Sequence, residues 1–192
     1  AESLAAHEGS LWLNGVESLS DRAAAALGRH NGSLWLNGLR ELSPAAADGL
    51  SHLRGLLSLN GIKHLPTGAA AALARHHGDL LLDGLESLTD DAAVAIGPHS
   101  GTLGLSGLSA LSAAAARGLA QRSRALTLNG LATLSDEVSS ALGRHRGLLY
   151  LNGVRSLTPT AAANLAAHHG DLYLQGLVTL PEDVARELAS HE

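Results

Sequence analysis

The sequence predicts an α/β solenoid: a right-handed coil of βα units with a parallel sheet on its concave face and short helices on its convex face. Three observations predict it. A glycine recurs every 23 residues without a slip, at Gly15, Gly38, Gly61, Gly84, Gly107, Gly130, Gly153 and Gly176. Self-similarity at such a period marks a stack of supersecondary units that each contact only their neighbours. Leucines stand two and four residues before every one of these glycines, as Leu36 and Leu34 do before Gly38. A Ser- or Thr-led, alanine-rich run follows in most units, the pattern of a short capped helix.

Taken in order, each unit opens on the leucine pair. Side chains two apart share one face of a strand, so both leucines point into the core and the residue between them points out. After the glycine comes an apolar column (Val16, Leu39, Ile62, Leu85, Leu108, Leu131, Val154, Leu177) and then the invariant Leu19 column. Alternation has broken there, so the chain turns at the glycine and continues as a less regular segment. Asn-Gly is also a hairpin signal, which keeps a ββα unit with a tight turn open.

The helix start is the next signal. Ser20, Ser43, Thr89, Ser112, Ser135 and Thr158 fit N-caps, with Pro44 and Pro159 at N1, where a missing N–H costs little. Asp21, Asp90, Asp136 and Glu137 occupy first turns, where the helix dipole favours negative charge. Pro66 and Pro181 replace the cap in two units, so the start there is expected to shift to Thr67 or Glu182. Ala23, Leu27 and His30 fall on one helical face, which predicts about ten helical residues over roughly 15 Å. Gly32 then ends the helix as a C′ residue able to take the left-handed conformation. Small residues fill the Ala24 and Gly28 columns, so neighbouring helices approach closely. Strands sit closer still, and the mismatch bends the stack by about 20° per unit.

The chain is thus one solenoid over residues 1–192, with strand starts at 11, 34, 57, 80, 103, 126, 149 and 172 and a partial N-terminal helix over 1–10. It has no Phe, Met or Cys, and a net charge of −5. Zero cysteine excludes a disulfide framework and thiolate-held metal. Negative charge speaks against a nucleic-acid groove, which needs clustered Lys and Arg. No apolar run approaches the ~18 residues of a membrane span, and the start lacks the basic and apolar regions of a signal peptide. Compartment stays unassigned. Because it begins within a unit, the chain reads as a segment of a longer array. Lys63 is the only lysine among the basic residues, a bias that favours a natural GC-rich source over a design.

In period and in its strand-plus-helix unit, the whole chain resembles the leucine-rich repeat family, in a short bacterial-type variant. The match lies in Leu34 and Leu36 and their equivalents. It departs from the family pattern at the column three before the pair, which here is Asn31, Arg54, His77, Ser100, Ser123, Arg146 and His169. It departs also at the asparagine, which directly follows the pair. The resemblance implies a scaffold that recognises a protein or peptide.

Three columns are candidates for function. The residue between the leucines is Trp12, Trp35, Ser58, Leu81, Gly104, Thr127, Tyr150 and Tyr173, and it holds every aromatic in the chain. Exposed aromatics on a concave sheet are anchors for a partner; cross-strand stacking that merely stabilises the sheet is the plainer alternative. The expected partner-binding residues are Trp12, Trp35, Tyr150 and Tyr173, with Leu81 and Thr127 as the floor. The column Asn14, Asn37, Asn60, Asp83, Ser106, Asn129, Asn152 and Gln175 reads as a hydrogen-bonded ladder, its aim inward or outward undecided. The column His7, His30, His76, His99, His145, His168 and His191 invites a metal reading, strengthened by His76-His77 and His168-His169. Side chains on successive helices start roughly 8–10 Å apart, too far for one zinc ion, and Leu53 fills the same slot. Packing of half-buried neutral rings is the expectation.

No phosphate-binding glycine loop, nucleophile elbow or H-E-x-x-H is present, so neither catalysis nor a cofactor is expected. The readings carried forward are a protein- or peptide-binding scaffold, a structural or self-associating array segment, and carbohydrate binding through the aromatic column.

Overall fold

The computed structural model describes residues 9–121 and 124–191. Eight βα units follow one another. They are β1 (Leu11–Trp12), α1 (Asp21–Leu27), β2 (Leu34–Trp35), α2 (Pro44–Ser51), β3 (Leu57–Ser58), α3 (Thr67–Leu73), β4 (Leu80–Leu81) and α4 (Asp90–Ile96). Then come β5 (Leu103–Gly104), α5 (Ala113–Leu119), β6 (Leu126–Thr127), α6 (Asp136–Leu142), β7 (Leu149–Tyr150), α7 (Pro159–Ala166), β8 (Leu172–Tyr173) and α8 (Glu182–Leu188). The strands form one eight-stranded parallel sheet in chain order. Every pairing joins residues one period apart, Leu11 to Leu34 and Trp12 to Trp35 first among them. The fold is a βα solenoid.

Each short strand is held by two inter-coil hydrogen bonds from the leucine pair. Leu34 N–H donates to Leu56 O and Leu36 N–H to Ser58 O, both at 2.8 Å. Inward leucines of both columns are fully buried from β2 to β7. The chain then turns through a hydrogen-bonded four-residue turn, Leu39 N–H to Leu36 O at 3.0 Å, repeated in all eight units. The ββα alternative falls here: the segment after the turn makes only scattered parallel contacts with its neighbours, such as His64 with Ser87, and no antiparallel strand follows it among the described residues.

The helices begin where the caps require. Ser43 Oγ accepts the Ala46 N–H at 2.9 Å, and Ser20, Thr89, Ser112, Ser135 and Thr158 do the same. The helices of these two units begin at Thr67 and Glu182, the residues expected, but Pro66 and Pro181 keep the cap position without a side-chain bond, so the starts stay in register with the other units. Caps also tie coils together: Thr158 Oγ1 donates to Asp136 Oδ1 at 2.9 Å, with Ser43 to Asp21 and Ser112 to Asp90 in the same relation. Helices run seven or eight residues rather than ten. The histidine column therefore lies beyond the helix end, and the expected face from Ala23 to His30 is not one continuous helical face. Of the partial helix expected over 1–10, residues 9 and 10 are not helical, and the rest, with His7, lies outside the described residues.

Glycine does a different job from the one expected. Gly32, Gly55, Gly78, Gly101 and Gly147 are not left-handed; among the described residues only Gly9 and Gly170 have positive φ. A Cβ on Gly32 would run into Gly9 O, one on Gly78 into Gly55 O, and one on Gly101 into Gly78 O. The glycines after the leucine pair behave alike, Gly38 lying against Asn14 O and Gly84 against Asn60 O. Small residues likewise let helices touch, Gly28 lying against Gly49 O and Gly143 against Asn164 O. These are points where consecutive coils meet backbone to backbone.

Gly15 tests this assignment because nothing lies within 4 Å of its would-be Cβ. Gly84→Ala should lose about 1–3 kcal/mol, the cost of overpacking against an atom that cannot yield. Gly15→Ala should be close to neutral. Urea unfolding of both variants measures the difference.

Candidate functional site

Inward leucines leave three outward columns on the strand face, at the residues before, between and after each pair. The middle column carries the aromatics. Trp12 is 58% exposed and packs on Trp35 with ring centroids 4.3 Å apart at 46°. Tyr150 and Tyr173 stack at 4.4 Å and 13°. Tyr173 Oη also donates to Asp171 Oδ2 at 3.4 Å; the Tyr150 phenol and then the Asp171 carboxylate push the Tyr173 hydroxyl above its ordinary value. Such offset pairs contribute about 0.5–1.5 kcal/mol beyond their area, so each anchor is held by its neighbour.

Of the six expected site residues, the structure joins Trp12 with Trp35, and Tyr150 with Tyr173. Thr127 is strand partner to Tyr150, and Leu81 stands half-buried between Ser58 and Gly104. The two aromatic pairs do not touch; four coils separate them. Ser58 and Gly104 are buried by the flanking columns, so the middle of the face dips.

The asparagine column settles on this same outward face. Asn37 Oδ1 accepts Asn60 N–H at 3.0 Å and the hydroxyl of outward Ser58 at 2.7 Å. Asn14 binds Asn37 N–H, Asn60 binds Asp83 N–H, Asp83 binds Ser106 N–H, Asn129 binds Asn152 N–H and Asn152 binds Gln175 N–H, at 2.8–3.1 Å. No equivalent bond follows Ser106 among the described residues. A backbone N–H can meet only the carbonyl oxygen of a carboxamide, so each bond takes the Oδ1 and each Nδ2 stays solvent-accessible as a donor. The signal was in the sequence: continuing the period of two past Leu36 puts Asn37 on the face of Trp35.

The first column adds Ser33, Leu56, Asp79, Thr102, Ala125, Leu148 and Asp171. Leu148 is exposed beside Tyr150, and Asp79 Oδ1 accepts Thr102 N–H at 2.9 Å.

The histidines belong to the interior. His30, His76, His99, His145 and His168 are at most 1% exposed, where half-burial was expected, and Leu53 fills its slot equally buried. Rings stack face to face, His76 on His99 at 5.9 Å, His145 on His168 at 5.5 Å and His168 on His191 at 5.9 Å. This is closer than the helix spacing suggested, because the rings stand beyond the helix ends. His30 Nε2–H donates to Gly9 O at 2.6 Å and His191 Nε2–H to Gly170 O at 3.0 Å, carbonyls of the preceding coil. Parallel rings cannot turn two nitrogens to one ion, and among the described residues no three His, Asp or Glu side chains gather about a point.

Burial pushes His76 and His168 below the ordinary imidazole value of 6.5. Nearby backbone groups oppose the shift, those of Asp79, Leu53 and Ser51 at His76 and those of His145, Gly147 and Asp171 at His168, while His77 and His191 add to it.

No family model matches this chain, and no curated protein matches it. Among solved structures, a leucine-rich-repeat protein of Leptospira interrogans is similar, with 18% identity and a TM-score of 0.49 over 90% of this chain and 54% of that one. The chain thus spans about half that protein's length. Eight βα units at constant spacing make this a βα-solenoid repeat protein. No helix among the described residues is long and apolar enough to cross a membrane.

Two outcomes follow from this geometry. Asn37→Ala removes the acceptor of two hydrogen bonds and should cost about 1–3 kcal/mol, whereas Asn37→Asp keeps an acceptor there, as Asp83 does, and should cost less; urea unfolding compares them. The buried imidazoles of His76 and His168 take up protons less readily than unfolded ones, so their contribution to stability is full above about pH 6.5 and falls as pH drops below it. The melting temperature by circular dichroism should be lower at pH 5 than at pH 7.5. A His76→Leu, His168→Leu variant, patterned on Leu53, should show a flatter dependence.

Proposed function

We propose that the chain is a recognition scaffold that acts by binding a protein or peptide across its strand face. Trp12, Trp35, Tyr150 and Tyr173 are the anchors, and Leu81 and Thr127 lie on the floor between them. One observation carries this reading. The apolar core is built mainly from leucine and alanine without a Phe, Trp or Tyr, and the chain's two Trp and two Tyr all stand in the outward column as two preformed stacks. Stacking sets their rotamers in advance, which lowers the entropy lost when a partner docks. Large amphipathic rings, solvent-accessible amide donors and a dip between them make a surface with both apolar and polar contacts to offer. No partner identity follows from this.

A second reading has its own observation. Val178 and Leu180 of the last coil are 70% and 57% exposed next to strand β8, and an apolar edge of this kind supports self-association. Sedimentation at several concentrations separates the two: self-association predicts mass rising with concentration.

For the recognition reading, the test is selection from a displayed library of random linear peptides. Enriched peptides should lose at least tenfold in affinity for a Trp35→Ala, Tyr150→Ala variant whose far-ultraviolet circular dichroism is unchanged. Peptides that bind this variant as well as the wild type would overturn the assignment of the face. Binding on an oligosaccharide array in place of peptides would move the partner to the sugar class.

A further inference from the structure

We infer that the occupant of this face is an extended polypeptide carrying one basic side chain between two apolar ones. The inference rests on the recognition reading and adds the partner's chemistry. Charge is the first argument. Across the described residues, the three outward columns contain no Lys or Arg, and their carboxylates are Asp79, Asp83 and Asp171. Two of the three flank Leu81 in one coil, midway between the aromatic stacks. A partner crossing there meets negative charge alone, and a complementary one brings a cation.

The shape of the middle of the face is the second argument. Gly104 lacks a side chain, and the place its Cβ would take is 3.0 Å from Leu81 Cδ2 and 2.9 and 3.1 Å from the Asp83 carboxylate oxygens. Leu81 and the Asp83 carboxylate therefore lean together over Gly104 and form the floor of the dip, an apolar methyl beside a carboxylate. A lysine or arginine needs both, for its methylene stem and for its charged head. Asp83 Oδ1 and Asp79 Oδ1 each accept a backbone N–H, which fixes both carboxylates and leaves each a second oxygen for the cation. On either side, the solvent-accessible Nδ2 groups of Asn37, Asn60, Asn129 and Asn152 are donors for the carbonyls of the passing chain.

Spacing sets the register. Trp35 and Tyr150 are five strand steps apart, about 24 Å at ~4.8 Å each, which about seven extended residues span at ~3.3 Å. Asp83 lies two steps from Trp35 and three from Tyr150, so the basic residue falls about three residues from one apolar residue and four from the other.

Fluorescein-labelled Trp-Thr-Thr-Lys-Thr-Thr-Thr-Trp, and the peptide with Lys one place later for the opposite chain direction, are titrated into the intact protein by polarisation. Versions with Gln in place of Lys are the controls. At least one Lys peptide should bind about tenfold tighter than its Gln control, the scale of one charge-assisted contact. Asp83→Asn should abolish that preference; it keeps the ladder acceptor, since asparagine holds the position in five other coils, and circular dichroism confirms the fold. Trp35→Ala, Tyr150→Ala should weaken Lys and Gln peptides alike. Equal binding of Lys and Gln peptides to the wild type, or a preference that survives Asp83→Asn, overturns the cation assignment. If the aromatic variant still weakens both, the recognition face stands without it. No binding of any of these peptides overturns this occupant, and the library selection then judges the face by itself.

Discussion

Everything in this molecule depends on consecutive coils meeting backbone to backbone. At Gly38 against Asn14 and at Gly32 against Gly9, no atom can be placed between one turn of the chain and the next. Such contact repeats only if every coil has the same length and shape, which is why the period never slips. Once it is enforced, equivalent residues stack on equivalent residues, and each column becomes a physical object in its own right. The leucine columns become a core, the asparagines a hydrogen-bonded ladder, the histidines a pile of rings and the aromatics a face.

Stacking in this manner also answers how a coil with two-residue strands satisfies its backbone. Strand bonds account for few of the polar groups, and side chains supply the remainder along the axis. Asn60 takes the N–H of Asp83, His30 reaches the Gly9 carbonyl, and the cap hydroxyl of Thr158 spans to Asp136. Each of these bonds joins neighbouring coils. Exposed ion pairs such as Lys63 with Glu86 run in the same direction but contribute little in water.

Much of this was legible in the sequence. Leu34 and Leu36 announced the strand and its inward face, Ser43 with Pro44 announced the helix start, and the Trp35 column announced the outward direction. Other features were misread for definable reasons. Gly32 was assigned left-handed geometry because helix ends and close backbone approach select the same residue, and no single sequence distinguishes them. His30 was placed within the helix because i+7 spacing continues the apolar stripe even after the helix has stopped at Leu27. At Asn37 two sequence signals conflict: alternation continued past Leu36 points it outward, while the following glycine marks the turn at which alternation breaks. The dip at Gly104 was beyond reach: it exists only through the lean of Asp83 and Leu81 from the adjacent coil, which no one-dimensional pattern records.

Ser106 has a consequence for mechanics. Among the described residues it is the one member of the ladder that leaves the next coil's N–H without a side-chain acceptor, that of Asn129. A column held only by nearest-neighbour joints parts at its thinnest one, because cohesion elsewhere cannot be shared across the gap. Along the asparagine ladder that thin joint lies between the fifth and sixth coils, dividing the tryptophan-bearing block from the tyrosine-bearing block.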